Sequence, residues 1–159
     1  MPWPEPVERV SQALRAGAVE AWIEEFGEGT PTARDAAKAV GCELDQIVKS
    51  LVFVADGAYV MALVPGDRRA DEQAIAAALG ASEIRIARAE EVVHATGFEP
   101  GGVAPFPQRA VTQTLMDRSF LAHDAVWIGA GTPSHMAWLS PGELQRLTRA
   151  RAVDLGGRG

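Results

Sequence analysis

One lysine lies inside a long run of apolar, largely β-branched residues, 45–64, which reads DQIVKSLVFVADGAYVMALV. The run predicts two strands joined by an Asp-Gly turn, because Asp-Gly tolerates the positive φ angles of a two-residue hairpin. Side chains alternate between the faces of a strand, so Lys49 shares one face with Ile47, Leu51 and Phe53, and both faces read as buried. A buried ammonium is unfavourable unless it is paired, hydrogen-bonded or open to a wet cavity, so Lys49 is a candidate for chemistry.

Two loops rich in glycine and proline are the other candidates. Gly101 begins a loop with the spacing GxxxP that ends at Pro105, and Gly131 begins a loop with the spacing GxxxH that ends at His135. Backbone N–H groups of a glycine loop can come close to a bound molecule, because no side chain intervenes. Each loop alone is a weak signal, since glycine is a routine turn residue.

Each candidate also has a purely structural interpretation. Lys49 can extend along its aliphatic stem to solvent, or it can pair with Asp45 or Glu43. His135 can cap a turn or pack against Trp138. The pattern of residues leaves these alternatives open.

Two other chemistries are disfavoured by the spacing of the residues. Ser134 and His135, with Asp124 as a third member, do not predict a serine hydrolase, because adjacent residues rarely reach nucleophile–base geometry and no nucleophile elbow surrounds the serine. The remaining histidines, His94 and His123, are scattered along the chain, so no metal site is expected.

Composition narrows the class of protein. The 159 residues are 47% hydrophobic, which is sufficient for one well-formed core. The formal net charge of -6 argues against a non-specific binder of duplex nucleic acid. A single cysteine, Cys42, excludes an internal disulfide, and the sequence shows neither a secretory signal at its start nor a membrane-spanning apolar segment. We therefore expect a cytoplasmic protein.

The elements that must position these candidates follow from periodicity and capping signals. Helical spacing of apolar residues predicts a first helix that extends to Phe26 and is stopped by Gly27 and Gly29. A second helix is expected between an N-cap at Thr32 and a C-cap at Gly41. Further patterns predict an Ala-rich helix, several strands and a last helix that begins after an N-cap serine. The sequence predicts an α+β domain with a mixed sheet.

Taken together and in this order, the segments resemble the YbaK/prolyl-tRNA synthetase-associated domain family of aminoacyl-tRNA editing domains. The resemblance covers 32–155 and rests on TARDAAKAVG, IVKSLVF, ALVPGDRRAD, TGFEPGGVAPF, AGTPSH and LSPGEL. It implies that family's fold, a single domain in which a mixed, mostly antiparallel and barrel-like sheet is surrounded by helices. We expect an N-terminal helix in 1–29, the editing domain in 30–155 and a disordered tail in 156–159.

The resemblance also assigns expected roles to the candidate residues. It implies hydrolysis of the ester that joins a wrong amino acid to the 3′-terminal ribose of a tRNA, with Lys49, Gly101 and His135 as catalytic residues. Lys49 is expected beside the terminal adenosine and its phosphate, and the main chain at Gly101 is expected near the scissile ester. The substrate-binding residues implied are Gly102, Pro105, Gly131 and Ser134.

The chain departs from the family pattern at Pro107, where the familiar run is Pro-Phe-Gly. Proline fixes φ and removes an amide donor, so we expect the far end of that loop to differ in shape and in substrate preference. A mechanism in which the neighbouring ribose hydroxyl helps to activate water needs no protein nucleophile and no cofactor.

Three functions follow as hypotheses. The first is a trans-acting deacylase for alanine or cysteine attached to the tRNA for proline, with the 3′ acceptor end of aminoacyl-tRNA as its partner. The second is a fold relative that binds tRNA or a nucleotide without cleaving it. The third is a module associated with an aminoacyl-tRNA synthetase, suggested by the aromatic residues Trp3, Trp22 and Phe26 of the N-terminal segment.

Overall fold

Eight strands in two sheets and five α-helices make up the part of the chain that the computed structural model describes, residues 3–27, 29–30 and 32–155. The helices are α1 (Glu5–Ala16), α2 (Ala33–Val40), α3 (Glu72–Leu79), α4 (Ala89–Thr96) and α5 (Pro141–Thr148). The strands are β1 (Trp22–Glu25), β2 (Val48–Ala55), β3 (Ala58–Pro65), β4 (Ile84–Ile86), β5 (Gln113–Asp117), β6 (Val126–Gly129), β7 (His135–Leu139) and β8 (Arg151–Val153). No described helix has the length and apolar character needed to cross a bilayer.

The strands form a five-stranded sheet in the order β4-β2-β3-β5-β8 and a three-stranded sheet in the order β1-β7-β6. Strand β3 pairs with β5, and β5 with β8, in parallel, whereas the other pairs are antiparallel. This arrangement confirms the predicted single α+β domain with a mixed, mostly antiparallel sheet. The strands form two sheets rather than one closed barrel, which corrects the expectation of a barrel-like sheet.

The β2–β3 hairpin forms as the sequence predicts. Its turn residues Asp56 and Gly57 have φ angles of 48° and 83°, values that Asp and Gly tolerate better than most residues do. Both faces of β2 are covered, because Val52 packs into one hydrophobic cluster and Phe53 into another. Lys49 pairs with Val64 of β3 near the open end of the hairpin.

The first helix is shorter than predicted. It ends at Ala16, followed by Gly17 and by Ala18 at φ 53°, and residues Trp22–Glu25 form strand β1 instead of continuing as a helix to Phe26. The physical reason is tertiary: β1 adds an antiparallel strand to β7, and pairing with a distant strand overrides a local helical pattern.

Helix α1 itself is part of the main core. Val7 and Val10 have no exposed surface and Leu14 is 5% exposed, as their helical spacing predicts. The N-terminal segment therefore packs with the rest of the domain. The division of the chain at residue 30 stays a prediction, and the expected tail at 156–159 lies outside the described residues.

The caps predicted for helices α2 and α5 form in the structure. Thr32 accepts a hydrogen bond of 3.0 Å from the Asp35 N–H at the start of α2, and Gly41 ends that helix in the left-handed conformation. Ser140 accepts a bond of 3.2 Å from the Glu143 N–H at the start of α5. Both caps agree with the sequence analysis.

The hairpin turn gives the first testable prediction. The Asp56 carboxylate accepts hydrogen bonds from the Ser82 and Glu83 N–H groups at 2.8–3.1 Å, and these bonds hold its pKa below the ordinary value. A folded-state pKa below the unfolded one stabilises the protein above the unfolded pKa, and this stabilisation is lost as pH falls through the folded pKa. We expect Asp56→Asn to lower the Tm at pH 7 and the difference from wild type to shrink on acidification.

Thermal unfolding followed by circular dichroism across pH measures this effect. Glu83→Gln is the matched control, because that side chain is exposed and only its backbone takes part in the contact. A Tm difference for Asp56→Asn that is the same at acid and neutral pH contradicts the assignment.

Candidate active site

A cleft of about 410 Å³ lies where the start of β2 meets α2 and the two glycine loops. Lys49, Gly101 and His135, the three residues predicted to be catalytic, all line it. Its apolar wall includes Ile47, Leu51, Val103 and Met136, and its polar lining includes Thr30, Thr32, Ser50 and Thr132. The volume is in the range typical of small-molecule and substrate sites.

The Lys49 amine is half-buried and donates a hydrogen bond to the backbone carbonyl of Arg68. Burial lowers the pKa of this lysine from its ordinary value, and the negative charge of Asp67 partly opposes that effect. The acid whose charge reaches the amine is thus Asp67, rather than Asp45 or Glu43, which were the structural alternatives. The ammonium is held by a neutral carbonyl and opens into the cleft.

An ion pair with a buried carboxylate anchors Arg68, the residue whose carbonyl holds Lys49. The guanidinium of Arg68 lies 3.3 Å from the carboxylate of Asp117, whose side chain is only 3% exposed. Asp117 also accepts hydrogen bonds of 3.1 Å from the N–H groups of Ser119 and Leu155. Because these contacts anchor Arg68 to β5 and to the chain after β8, the acceptor for the lysine amine is positioned by the fold.

The two glycine loops touch through their backbones. A Cβ at Gly102 would lie 2.8 Å from the Gly131 carbonyl oxygen and 2.8 Å from the Thr132 Cα, and one at Gly129 would lie 2.5 Å from the Val103 carbonyl oxygen. None of these three distances is compatible with an unshifted side chain. Gly101, at φ +92°, directly precedes Gly102, is exposed and lines the cleft, so its main chain is accessible from the cleft.

His135 begins β7 and is 4% exposed. Its Nδ1 lies 2.5 Å from the Thr132 hydroxyl oxygen. Its Nε2 is buried without a hydrogen-bond partner among the described residues, and the nearest carboxylate oxygen, from Glu25, is 3.5 Å away. The indole of Trp3 contacts the imidazole edge-on at 5.6 Å between ring centroids, so the histidine packs against Trp3 rather than against Trp138.

Gly131 and Ser134, two of the predicted substrate-binding residues, contact the N-terminal segment. Gly131, at φ +109°, lies so close to the start of α1 that a Cβ would be 2.7 Å from the Pro6 carbonyl group. The carbonyl of Ser134 accepts a hydrogen bond of 2.7 Å from the Phe26 N–H. The GxxxH loop is therefore held by the N-terminal segment.

The far end of the GxxxP loop turns away from the cleft. Pro105 is buried, and its carbonyl accepts a hydrogen bond of 3.1 Å from the side chain of Gln108. Pro107 lines a separate cavity beside α1 and the start of β5. The loop therefore lines the cleft through Gly101 and Val103, and a direct role of Pro105 in substrate binding stays a prediction.

Sequence reasoning missed several residues of the site. Thr132 and Ser50 gave weak local signals, since Thr132 lies within the GxxxH spacing and Ser50 is the polar neighbour of Lys49. In the structure the Ser50 hydroxyl is buried without a hydrogen-bond partner among the described residues. Glu25 and Thr30 gave no signal, because strand pairing and loop packing bring them to the site from distant parts of the chain, and nothing in the sequence indicated that the Arg68 carbonyl accepts a hydrogen bond from Lys49.

Metal and thiol chemistry receive no support from the described residues. They contain no group of three or more His, Cys, Asp or Glu side chains arranged to hold a metal ion. Burial raises the pKa of the Cys42 thiol, and the charges of Asp45 and Glu43 raise it further, so a reactive thiolate is disfavoured.

Comparison with known proteins relates this chain to editing domains. The family model described as "Aminoacyl-tRNA editing domain" matches residues 27–147. Over 128 residues, 79% of this chain, it is 37% identical to a proline–tRNA ligase of Nitratidesulfovibrio vulgaris, although it spans about a fifth (21%) of that ligase. It is 30% identical to the uncharacterized protein YwhH of Bacillus subtilis, with 79% of this chain and 80% of YwhH covered. A crystal structure described as a candidate trans-editing enzyme for prolyl-tRNA synthetase superposes with a TM-score of 0.89 at 34% identity and covers 99% of both chains.

The loop contact gives a prediction for stability. Gly102→Ala places a methyl group 2.8 Å from backbone atoms of the facing loop, so the loops must separate. We expect the free energy of unfolding to fall by about 1–3 kcal/mol, as for overpacked sites. Denaturant unfolding measures it.

Gly142→Ala is the matched control for this experiment. It lies in α5 with nothing within 4 Å of a Cβ, so we expect no loss and a gain of up to about 1 kcal/mol from helix propensity. Equal unfolding curves for Gly102→Ala and wild type would show that the loops are not in the contact described.

Proposed function

The chain belongs to the aminoacyl-tRNA editing domain family, and on that premise we propose that it is a trans-acting deacylase that hydrolyses the ester of mischarged tRNA. The observation that carries the proposal is the cleft itself, in which the Lys49 amine, the Gly101 main chain and the buried His135 lie on the walls of one cavity. The three come from a strand, a loop and the start of another strand, and a purely structural role for each does not explain why they converge.

The proposed chemistry requires little from the protein. An aminoacyl ester is already activated, so the enzyme has to position a water molecule and stabilise the oxyanion that develops on the carbonyl oxygen. The exposed main chain at Gly101 is suited to this, because it faces the cleft with no side chain in the way. The ribose hydroxyl next to the ester assists in activating the water, so no nucleophilic side chain is needed.

Lys49 supplies the positive charge. Its amine has a neutral carbonyl as its hydrogen-bond acceptor and is half-buried, so its charge is only partly compensated in the free protein. The terminal phosphate or the ester oxygen of a tRNA acceptor end provides the missing negative partner. A compact ammonium on a slim stem fits the end of this cleft better than a guanidinium fork would.

His135 is the third residue of the proposed site. Thr132 fixes the orientation of the ring through Nδ1, and Nε2 is left with hydrogen-bonding capacity inside a buried site. A buried imidazole nitrogen without a partner is unfavourable, so a hydroxyl group or water of the bound acceptor end is the expected partner. In this role the histidine orients the substrate rather than acting as a nucleophile.

The aminoacyl group is expected to be small, such as alanine or cysteine on the tRNA for proline. The apolar side chains that line the cleft, among them Ile47, Val103 and Met136, favour an uncharged group. An apolar wall separates substrates that differ by one methylene by only about 1–3 kcal/mol, so we expect graded rather than absolute selection.

Action in trans is supported by the match, over nearly the whole of both chains, to a protein described as a candidate trans-editing enzyme for prolyl-tRNA synthetase. The proposed partners are the 3′ end of aminoacyl-tRNA and, through the enzyme that charges it, an aminoacyl-tRNA synthetase. Such a role belongs in the cytoplasm, where tRNA is charged and used.

A panel of mischarged tRNAs tests the proposal directly. We expect wild-type protein to release alanine or cysteine from tRNA for proline, and Lys49→Met to lower kcat/KM by at least about a hundredfold, as loss of an electrostatic contact in the transition state typically does. The measurement is release of labelled amino acid at enzyme excess.

Lys38→Met is the matched control, because Lys38 is the other lysine of the chain and lies exposed on α2. We expect it to retain wild-type activity. Absence of turnover on every ester tested, with tight binding of the charged tRNA, would favour instead a module that binds tRNA without cleaving it.

The pKa of Lys49 gives a prediction for binding. Because burial lowers that pKa from its ordinary value of 10.5, the fraction of protonated amine falls at a lower pH than for an exposed lysine. We expect the affinity for a stable analogue, in which an amide replaces the aminoacyl ester, to be constant near neutrality and to weaken as pH rises through the lowered pKa.

Fluorescence anisotropy of the labelled analogue measures this profile at constant ionic strength. Lys49→Met is expected to bind weakly at every pH and to lack the alkaline decrease. A decrease of the same size in Lys49→Met would show that another group is responsible.

A further inference from the structure

Three of the four tryptophans form a row across one face of the three-stranded sheet. Trp138 of the central strand β7 is directly opposite Trp22 of β1 on one side and Trp127 of β6 on the other. Directly opposed residues of neighbouring strands lie on the same face, so the three indoles are adjacent. We call this row the tryptophan ladder.

The ladder is the uncovered end of a face that is otherwise packed. Farther along the same face, Met136 and Phe26 belong to a cluster with residues of α2, and Trp127 joins that cluster through an edge-on contact with Phe26 at 6.4 Å between ring centroids. Trp22 and Trp138 remain 60% and 42% exposed. Large apolar groups exposed side by side commonly mark an interaction site.

The indoles border a cavity whose lining also includes a carboxylate. The three tryptophans and Glu24 line a cavity of about 270 Å³. The Trp22 indole N–H donates to the Glu24 carboxylate at 3.0 Å, which fixes the indole and the acid relative to each other. The apolar surface is therefore combined with negative charge.

The surroundings of the ladder are also acidic. A neighbouring cavity of about 470 Å³ shares Trp138 and is lined by Glu20, Asp124 and Glu143. Glu143 is paired with Arg146 at 2.6 Å, whereas Glu20 and Asp124 have no ion-pair partner among the described residues. The surface thus offers two unpaired carboxylates beside exposed indoles.

We propose that the tryptophan ladder is a docking site for a positively charged polypeptide segment that presents arginine side chains. The face of an indole attracts a cation more strongly than any other aromatic side chain does, and a guanidinium can stack on it while its N–H groups bind a carboxylate. The arginines stack on Trp22 and Trp138 and reach Glu24 and the carboxylates beside Trp138. This site is separate from the cleft and does not depend on the deacylase proposal.

The acidic surroundings argue against the other occupants of an aromatic surface. Bases of single-stranded RNA stack on indoles, but the backbone phosphates would be repelled by the carboxylates and by a chain of formal net charge -6. A second copy of the chain would bring two sets of the same acidic side chains together. A basic polypeptide is the partner whose charge is complementary.

The test uses a synthetic peptide of alternating arginine and glycine and a matched peptide in which citrulline replaces arginine. NMR titration of the intact protein follows the indole N–H resonances and gives Kd. We expect the arginine peptide to shift the resonances of the ladder, and Trp22→Thr and Trp138→Thr each to weaken binding at least about fivefold, as expected for loss of a cation–π contact. Threonine is chosen because it suits a strand.

Two further variants separate the ladder from general effects. Glu24→Gln keeps all three indoles and removes one charge, so it is expected to weaken binding while the Tm stays at the wild-type value. Ile86→Thr replaces another exposed strand residue, 55% exposed on β4 of the other sheet, and is expected to leave Kd unchanged.

Four results would each overturn the proposal. They are absence of binding of the arginine peptide to wild type, equal binding of the citrulline peptide, equal weakening by Ile86→Thr, and Kd values unchanged in both tryptophan variants. A single-stranded oligoribonucleotide that shifts the ladder resonances more strongly than the peptide would assign the surface to RNA. A concentration-dependent dimer that is lost in Trp22→Thr would assign it to a second copy of the chain.

Discussion

The hydrogen bond between the Lys49 amine and the Arg68 carbonyl is the contact on which the site depends. An ammonium that enters the apolar side of a hairpin loses hydration, and the loss has to be compensated without removing the charge that a substrate needs. A neutral carbonyl satisfies one N–H and leaves the charge in place. The ion pair of Arg68 with the buried Asp117 then keeps that carbonyl where the amine can reach it. The charge of the cleft is therefore set by a network that begins on β2 and ends on β5.

The part of the cleft that is formed by the two glycine loops depends on contacts between backbones. Gly102 allows the GxxxP loop to approach the GxxxH loop more closely than any side chain would permit, and Gly131 is itself packed against the start of α1. Phe26, the residue after strand β1, also holds this loop, because its N–H donates a hydrogen bond to the Ser134 carbonyl. The N-terminal segment thus supports the position of His135 although it contributes little to the lining of the cleft. This role agrees with the packing of helix α1 into the main core.

What the sequence predicts well is local, and what it misses is long-range. The Asp56-Gly57 turn, the cap at Thr32 and the spacing of the two glycine loops are each encoded within a few residues, and the structure contains all of them. The strand at Trp22–Glu25 was interpreted as helix because its apolar residues fit a helical spacing, and only pairing with β7 makes it a strand. The Arg68–Asp117 pair joins residues 49 positions apart, and no pattern within either segment indicates it. The convergence of Lys49, Gly101 and His135 was expected from family resemblance rather than from periodicity.

The distribution of charge distinguishes the cleft from the tryptophan ladder. Under the proposed function, an acidic chain has to attract an acceptor end by charge concentrated at one place, and Lys49 would provide that charge in the cleft, where partial burial strengthens its field. The tryptophan ladder, by contrast, lies among carboxylates, where phosphate is repelled and a cation is attracted. Strand β7 connects the two, since His135 at its start lines the cleft and Trp138 near its end belongs to the ladder. A basic polypeptide on the ladder would leave the cleft open, so a protein partner and an RNA substrate can occupy one domain at the same time without competing for the same charge.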